Sequence, residues 1–467
     1  MIVRRLLFRN FHLVYRFDQW IKRRFTQTGM VMLGALVISG VFGINTRATQ
    51  SYQLFMLAFS ALAIGAFWAL FFRARFELVR RLPRFGTVGE TLIYSVSVKN
   101  SGKRVQRGLQ VREMLRARPP TAREFSRHRD TADIKRNWFD RHVGYPRWAA
   151  YMRWRRGASA NESVLPDIPP GEWVSVRMHM TPHRRGFIRL ETGLISRTDP
   201  LGVFRALCRA GRTESLLVLP KRYLVSWAEL LGQSRDRLGG QSLAASTGGS
   251  EEFASLREYR PGDPLRHIHW KGWARMGEPV VREFHEECFV RQGLILDTFL
   301  PVDASEARFE EAVSVAASFA CAAPAGSGTL ELMFVGAEVY QVSSGQGPAA
   351  PDRLLEALAC VQPTPDQAFA RLRDAVVRRA HELSGCVCVL LSWDDDRREL
   401  VRTLRTLEIP LLVLVLAESG NDTPLHPGPM ADCPARFKRL RAGHVQRDLV
   451  REDGRAIAGA PAAGATT

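Results

Sequence analysis

The chain has 467 residues, too many for one small core, so two or three domains are expected. Its 46% hydrophobic and 24% charged residues exclude a disordered chain. The formal net charge of +19 is unevenly placed: residues 1–28, 73–85 and 116–160 together carry +18, which argues against a nucleic-acid-binding protein that is basic throughout. The seven cysteines are scattered and none forms a C-x-x-C pair. That pattern fits a reducing compartment and speaks against a disulfide framework or a structural zinc site.

The N-terminal region, residues 1–75, reads as a cytoplasmic segment followed by a hairpin of two transmembrane helices. Residues 25–46 and 48–72 carry no charge except Arg47 between them, and each run is long enough to cross a bilayer of roughly 30 Å. Seven Lys/Arg precede the first run, one lies between the runs, and five follow the second within a dozen residues. The positive-inside rule therefore puts both outer flanks, and with them both termini, in the cytoplasm. A cleaved signal peptide is the competing reading of the first run, but no small-x-small cleavage site follows it.

From residue 76 to 224 the pattern is β. Gly89 to Asn100 alternates apolar and polar residues before a Ser101-Gly102 turn, and three further short runs follow at 173–178, 186–190 and 216–220. A sandwich of immunoglobulin type is expected. Residues 116–160 interrupt it with twelve Lys/Arg against four acids, interleaved with Phe125, Trp138, Phe139, Tyr145, Trp148, Tyr151 and Trp154. Such a segment either binds phosphate-bearing surfaces, lipid headgroups before nucleic acid, or is a solvated loop whose aromatics pack on the sandwich.

Residues 225–250, rich in Gly, Ser and Ala, read as a flexible connector. Buried strands then alternate with helices from 291 to 450: strands at 293–297, 329–342, 386–392 and 410–417, helices at 306–323, 365–383 and 397–407. That alternation predicts a doubly wound, mainly parallel sheet. An Ala/Gly-rich tail, 451–467, is expected to be disordered.

The densest chemistry lies between the connector and the α/β region, in residues 251–290. The run GSEEFASLREYRPGDPLRHIHWKGWARMGEPVVREFHEE starts at Gly249. It resembles the signature R-x-Y-x-x-G-D-x-x-R-x-I-x-W-x-x-x-A-R, then V-R-E-F-E, of the bacterial "domain of unknown function 58" family. The matching residues are Arg257, Tyr259, Gly262, Asp263, Arg266, Ile268, Trp270, Ala274 and Arg275, then Val281, Arg282, Glu283 and Phe284. Arg184-Arg185-Gly186 and the stretch from Thr198 to Phe204 also look like that family. The resemblance implies two N-terminal spans, a β domain and a C-terminal domain similar to von Willebrand factor type A domains. It further implies a MoxR-type AAA+ ATPase as partner, and a transglutaminase-like membrane protein as a second associate.

Read physically, residues 261–264 are a turn. The flanking charges, including Lys271 and Glu283, form either an ion-pair network that clamps the segment onto the sheet, with Trp270 as anchor, or a partner-docking surface. His267 and His269 alternate onto one strand face as a weak metal pair without a third ligand in sequence. Domains of the von Willebrand type often hold a divalent ion in a D-x-S-x-S loop. Here Asp297 takes the Asp position, but Phe299 and Pro301 replace the serines. Thr298, Asp303 and Ser305 offer oxygens at the wrong spacing, and Ser392 with Asp394 gives a shifted second motif. The metal site is expected to be degenerate, with no cofactor.

No phosphate loop, G-x-S-x-G elbow, H-E-x-x-H or dinucleotide fingerprint is present. The expectation is a non-catalytic membrane scaffold or adaptor. An unfamiliar enzyme, or nucleic-acid or anionic-lipid binding through 116–160, is the alternative.

Overall fold

The structure is a computed structural model. It describes residues 2–42, 49–127, 137, 144–225, 251–260, 263, 268–286, 291–301, 304–323, 329–335, 339–343, 350–364, 369–418 and 425–450. Two compact units divide the chain. One takes residues 1–222, 303–317 and 355–362; the other takes 223–302, 318–354 and 363–467.

The first unit begins with three helices, α1 (Ile2–Arg24), α2 (Gln27–Phe42) and α3 (Thr49–Leu70). Here α1 is more than a basic flank: its Phe11 and Tyr15 are buried. The first apolar run forms a helix of 16 residues, about 24 Å long. It is shorter than the expected 25–46, of which 43–46 lie outside the described residues. Among the described residues, Gln50–Leu70 is the one helix long and apolar enough to cross a bilayer by length and composition. Only 11% of its apolar window is buried, unlike the core helix of a water-soluble domain. Gly40 of α2 approaches the ring of Phe55 on α3, where an added Cβ would stand 3.4 Å from it.

The helices join the β domain through the stretch Thr198–Phe204. Asp199, almost fully buried, accepts hydrogen bonds from the Val203 and Phe204 N–H groups, both at 2.7 Å. This closes a tight turn whose tip lies against α2: Thr26 N–H donates to the Val203 carbonyl at 3.2 Å, and Phe25 stacks edge-on against Phe204. Gly29 must be a glycine here, because a Cβ would run into the Val203 carbonyl. On α3, Gly65 leaves room for the Asp199 carboxylate.

The β domain holds β1 (Phe76–Arg81), β2 (Phe85–Thr87), β3 (Leu92–Asn100), β4 (Leu109–Arg112), β5 (Ala158–Ala160), β6 (Ser163–Leu165), β7 (Trp173–Pro182), β8 (Gly186–Leu190), β9 (Gly193–Thr198), β10 (Arg205–Ala210) and β11 (Glu214–Leu219). They form three sheets, ordered β1-β3-β7-β5, β10-β9-β4-β6 and β2-β11-β8. The alternation in β3 buries Tyr94, Val96 and Val98 and leaves Ile93 exposed. One core unites the sheets: Val96 and Val98 from the first, Val111 and Ile195 from the second, Ile188 and Val218 from the third. At one end, Arg80 of β1 is wholly buried and binds both Glu113 carboxylate oxygens, the Arg212 carbonyl at 2.7 Å and the Glu191 carbonyl at 2.6 Å.

The basic insertion contains α4 (Ala122–Arg127) and α5 (Tyr145–Arg155). Its aromatics pack, but chiefly onto α1 and not onto the sandwich: Trp148 and Met152 of α5 cluster with Phe11 and Tyr15, with Phe125 and Tyr145 at the edge. Trp138 and Phe139 lie outside the described residues.

The second unit opens with β12 (Glu251–Glu258), the short helix α6 (Trp270–Met276) and β13 (Val280–Glu286), β12 and β13 forming an antiparallel pair. Then follow β14 (Arg291–Leu296), α7 (Glu306–Ala322), β15 (Thr329–Val335), β16 (Val339–Ser343), α8 (Ala350–Cys360), α9 (Phe369–Arg379), β17 (Gly385–Leu390), α10 (Asp395–Thr406), β18 (Leu411–Ala417), β19 (Phe437–Arg441) and α11 (Val445–Val450). Both α7 and α8 are divided between the units. The sheet order is β16-β15-β14-β17-β18-β19, parallel except for the edge strand β16. The apolar stretch 329–342 is thus a hairpin and not one strand. Near-continuous burial along β14, β17 and β18 reflects a sheet covered on both faces. The connector 226–250 and the tail 451–467 lie outside the described residues.

The joint to the helices yields a test. Gly29→Ala is expected to cost about 1–3 kcal/mol, the usual penalty for forcing a methyl group into a filled space. Gly34→Ala has open space around it and should cost nothing. Thermal melts of the two full-length variants in detergent measure the difference, and equal midpoints would remove the joint.

Candidate functional site

In a doubly wound sheet, ligands settle beyond the carboxyl ends of the strands, where the strand order reverses. That point here lies between β14 and β17, since the chain moves outward to β15 on one side and to β18 on the other. Asp297 follows β14 and Leu391 follows β17, so both stand in this crevice. Asp297 is fully buried. Its Oδ1 accepts the Phe299 N–H at 2.9 Å and its Oδ2 the Leu391 N–H at 3.0 Å.

The remaining acceptor capacity is taken by Arg397, which enters from the first turn of α10 and is 1% exposed. Its Nε donates to Asp297 Oδ2 at 2.9 Å, and its Nη2 to Asp297 Oδ1 at 3.3 Å and to the Phe299 carbonyl at 3.2 Å. Its Nη1 binds Asp394. The guanidinium carbon lies 4.4 Å from the centre of the Phe369 ring, a cation–π contact away from water. Burial pushes the Asp297 carboxyl upward in pKa, while Arg397 and the two amide N–H groups pull it back.

A divalent ion of the von Willebrand type does not fit these residues. Phe299, where a serine oxygen is needed, is a fully buried ring packed edge-on against Phe369. The Thr298 hydroxyl donates to the Val335 carbonyl. Ser305 caps the Arg308 N–H at 3.3 Å, and Asp394 caps α10 through the Arg397 N–H at 3.1 Å while accepting from Ser392 at 3.1 Å. Asp303 lies outside the described residues. The positive charge that the carboxylate needs comes from Arg397, an internal cation. No cluster of three or more metal-ligating side chains occurs among the described residues.

The signature segment has a different character. Arg257 grips Asp263 with two parallel bonds of 2.8 Å, and Asp263 also accepts the Arg260 N–H at 2.9 Å. These bonds hold the Asp263 carboxyl down at about 2. Tyr259 N–H donates to the Pro279 carbonyl, and Glu283 pairs through its backbone with Ser255 beside a bulge. Gly262, Arg266 and His267 lie outside the described residues. His269 is not on a strand face: its Nδ1 accepts the Gly272 N–H at 3.0 Å and caps α6.

Trp270 is not the anchor. It is 65% exposed, and the segment is held by Ile268, Val280 and Val281, which are buried. Ile268 bridges to Val281, so the apolar attachment is complete before the chain reaches Trp270. Trp270 stacks on Trp273, itself 37% exposed, at 5.4 Å between ring centres. Lys271 and Arg275 are exposed on the same helix.

The first unit thus carries helices and a β domain, and the second an α/β sheet whose ligand crevice is closed from within. Residues 255–414, about a third of the chain, match the family described as "Protein of unknown function DUF58". The chain is 29% identical over 167 residues to the Uncharacterized protein YeaD of Bacillus subtilis, spanning 35% of this chain and 39% of that relative's length. Among solved structures, a CARDB domain of a Pyrococcus furiosus protein in complex with di-metal ions is similar over 32% of this chain and 91% of its own, at 12% identity and a TM-score of 0.17. A β-glucosidase from Listeria innocua in complex with isofagomine is similar over 30% of this chain and 16% of its own, at 16% identity and a TM-score of 0.12.

Two measurements check the closed crevice. Arg397→Met is expected to destabilise the protein by about 3–5 kcal/mol in a denaturant titration, because it leaves a buried carboxylate unpaired. Adding Asp297→Asn should recover part of that loss. Calorimetric titration of the protein with Mg²⁺ or Mn²⁺ is expected to give no micromolar binding; micromolar binding that Asp297→Ala abolishes would overturn the internal-cation reading.

Proposed function

We propose that this protein is a membrane-anchored, non-catalytic scaffold or adaptor that presents an α/β domain of the von Willebrand type to cytoplasmic partners. The principal partner is a MoxR-type AAA+ ATPase, with a transglutaminase-like membrane protein as a further associate. The observation that carries the reading is the exposed Trp270–Trp273 stack, flanked by Lys271 and Arg275, inside the family's own signature. Tryptophan and arginine dominate the energetics of protein interfaces, and a paired indole surface left in water is costly unless a partner covers it. The rest of the segment is held by Ile268, Val280 and the Arg257–Asp263 pair, so the indoles are not needed for attachment.

Two further features support the reading. The crevice where an α/β enzyme would place its substrate is filled by Arg397, which favours a binding module over a catalyst. Anchoring in the bacterial inner membrane is supported by the uncovered apolar surface of α2 and α3: Val31, Leu57, Phe67 and Leu70 are all more than half exposed. The basic residues that flank both helices support a cytoplasmic position for the large units.

The test is a pull-down from detergent-solubilised membranes, comparing wild type with Trp270→Ala/Trp273→Ala and with Asp263→Ala. Wild type should fractionate with membranes and bring down an AAA+ ATPase, and the double tryptophan variant should recover at least tenfold less while melting at the wild-type temperature. Equal recovery by the tryptophan variant would end the docking role of α6. A protein found outside the membrane fraction would end the anchoring.

A further inference from the structure

One cleft of about 390 Å³ in the first unit is lined by seven arginines and a single carboxylate, Glu310. Every lining residue belongs to that unit. The arginines come from three separate segments: Arg116 and Arg118 follow β4, Arg155 and Arg156 end α5, and Arg184, Arg185 and Arg189 lie on the β7–β8 turn and β8. Backbone hydrogen bonds lock these segments together. The Gly157 carbonyl accepts the His183 N–H at 2.7 Å and the Arg184 N–H at 3.3 Å, and Arg116 N–H donates to the Arg189 carbonyl at 3.0 Å. The frame therefore exists before any ligand arrives, which is the condition for tight charge recognition.

The seven side chains do not all serve the same purpose. Arg185 is buried and closes the last turn of α8, donating to the Leu358 carbonyl at 3.1 Å and the Val361 carbonyl at 2.6 Å, with Glu310 as counter-charge. Arg155 pairs with Glu124, and Arg116 lies 3.7 Å from Glu191. Arg118, Arg156, Arg184 and Arg189 have no carboxylate partner among the described residues. Arg156 binds the neutral Gln19 amide at 2.9 Å, and Arg184 rests on the Trp154 ring at 4.5 Å. Four unneutralised guanidiniums converging on one small cleft repel one another unless an anion sits among them. A solvated charged face would spread these residues over open surface, whereas here a backbone frame gathers them.

We propose that this cleft is a binding site for an anion carrying two or more phosphate groups. Each phosphate group brings a charge of about −1.5 to −2, so two of them balance the four free arginines. Planar guanidiniums match phosphate oxygens bidentately, and the cleft volume falls within the roughly 300–1,000 Å³ of small-molecule sites. The site is independent of the tryptophan surface on α6. A free diphosphate and a diphosphate lipid headgroup share this chemistry.

The test is calorimetric titration of the full chain in neutral detergent with pyrophosphate. One pyrophosphate should bind per chain, more weakly as salt rises. Arg118→Ser/Arg189→Ser, which changes two exposed side chains outside the α8 contact, should lower the affinity at least tenfold, and Arg177→Ser on the exposed face of β7 should leave it unchanged. Absence of pyrophosphate binding, or equal affinity in the double variant, overturns the proposal. Nanodiscs then separate the sources: pyrophosphate affinity lost with a polyprenyl diphosphate lipid, but kept with phosphatidylserine at equal surface charge, assigns the cleft to a headgroup. Affinity equal in both lipids assigns it to a soluble anion.

Discussion

A guanidinium removed from water must find its whole set of acceptors inside the protein, because an unpaired buried charge costs several kcal/mol. Among the described residues three arginines live under that constraint, and each fixes a part of the fold. Arg80 ties the end of β1 to the loops after β4, β8 and β10, so the three sheets meet at one buried charge. Arg185 holds the last carbonyls of α8. Arg397 fills the crevice of the parallel sheet. Planar, multiply donating and permanently charged, arginine can satisfy several carbonyls and a carboxylate at once, which lysine cannot do with its single point of charge.

The third case decides what the α/β domain can do. A sheet of this order offers a ligand its best position at the strand reversal, and this chain spends that position on its own side chain. The Phe299 ring and the Arg397–Phe369 contact keep water out, so the pair is sealed and not merely occupied. With that crevice closed, the two surfaces proposed for recognition lie elsewhere: the exposed α6 indoles in the second unit and the arginine cleft in the first.

Much of the element pattern was legible in the sequence, because it rests on periodicity. The strands at 293–297, 386–392 and 410–417 coincide with β14, β17 and β18, whose burial on both faces makes unbroken apolar runs. The replacement of serine oxygens by Phe299 and Pro301 was equally plain. The partner of Asp297 was not, since Arg397 is 100 residues away and sits in a strongly charged helix. Nothing in the run Asp-Asp-Arg-Arg-Glu marks one arginine as buried and its neighbour as solvated. Trp270 misled for a related reason: its size suggests an anchor, yet Ile268 and Val281 had already supplied the attachment. The arginine cleft was legible only in part: phosphate binding by residues 116–160 was one of two readings, and Arg116, Arg118, Arg155 and Arg156 come from that stretch, but only the tertiary fold brings Arg184, Arg185 and Arg189 beside them.

The stretch Thr198–Phe204 shows how local chemistry and long-range position meet. Its Asp199 closes a turn on its own backbone, which would suffice for any loop. The turn is also pressed between Gly29 and Gly65, two positions where the helices lack a Cβ. Small residues let backbones approach closely, and here the approach is between helix and loop and not between two helices. The β domain is therefore fixed to the apolar helices by a short, dry contact, with Phe25 against Phe204 and Trp148 against Tyr15 on either side. A tether of flexible residues would let the domain wander. This joint instead sets its orientation relative to α2 and α3, so whatever surface those helices engage also aligns the arginine cleft.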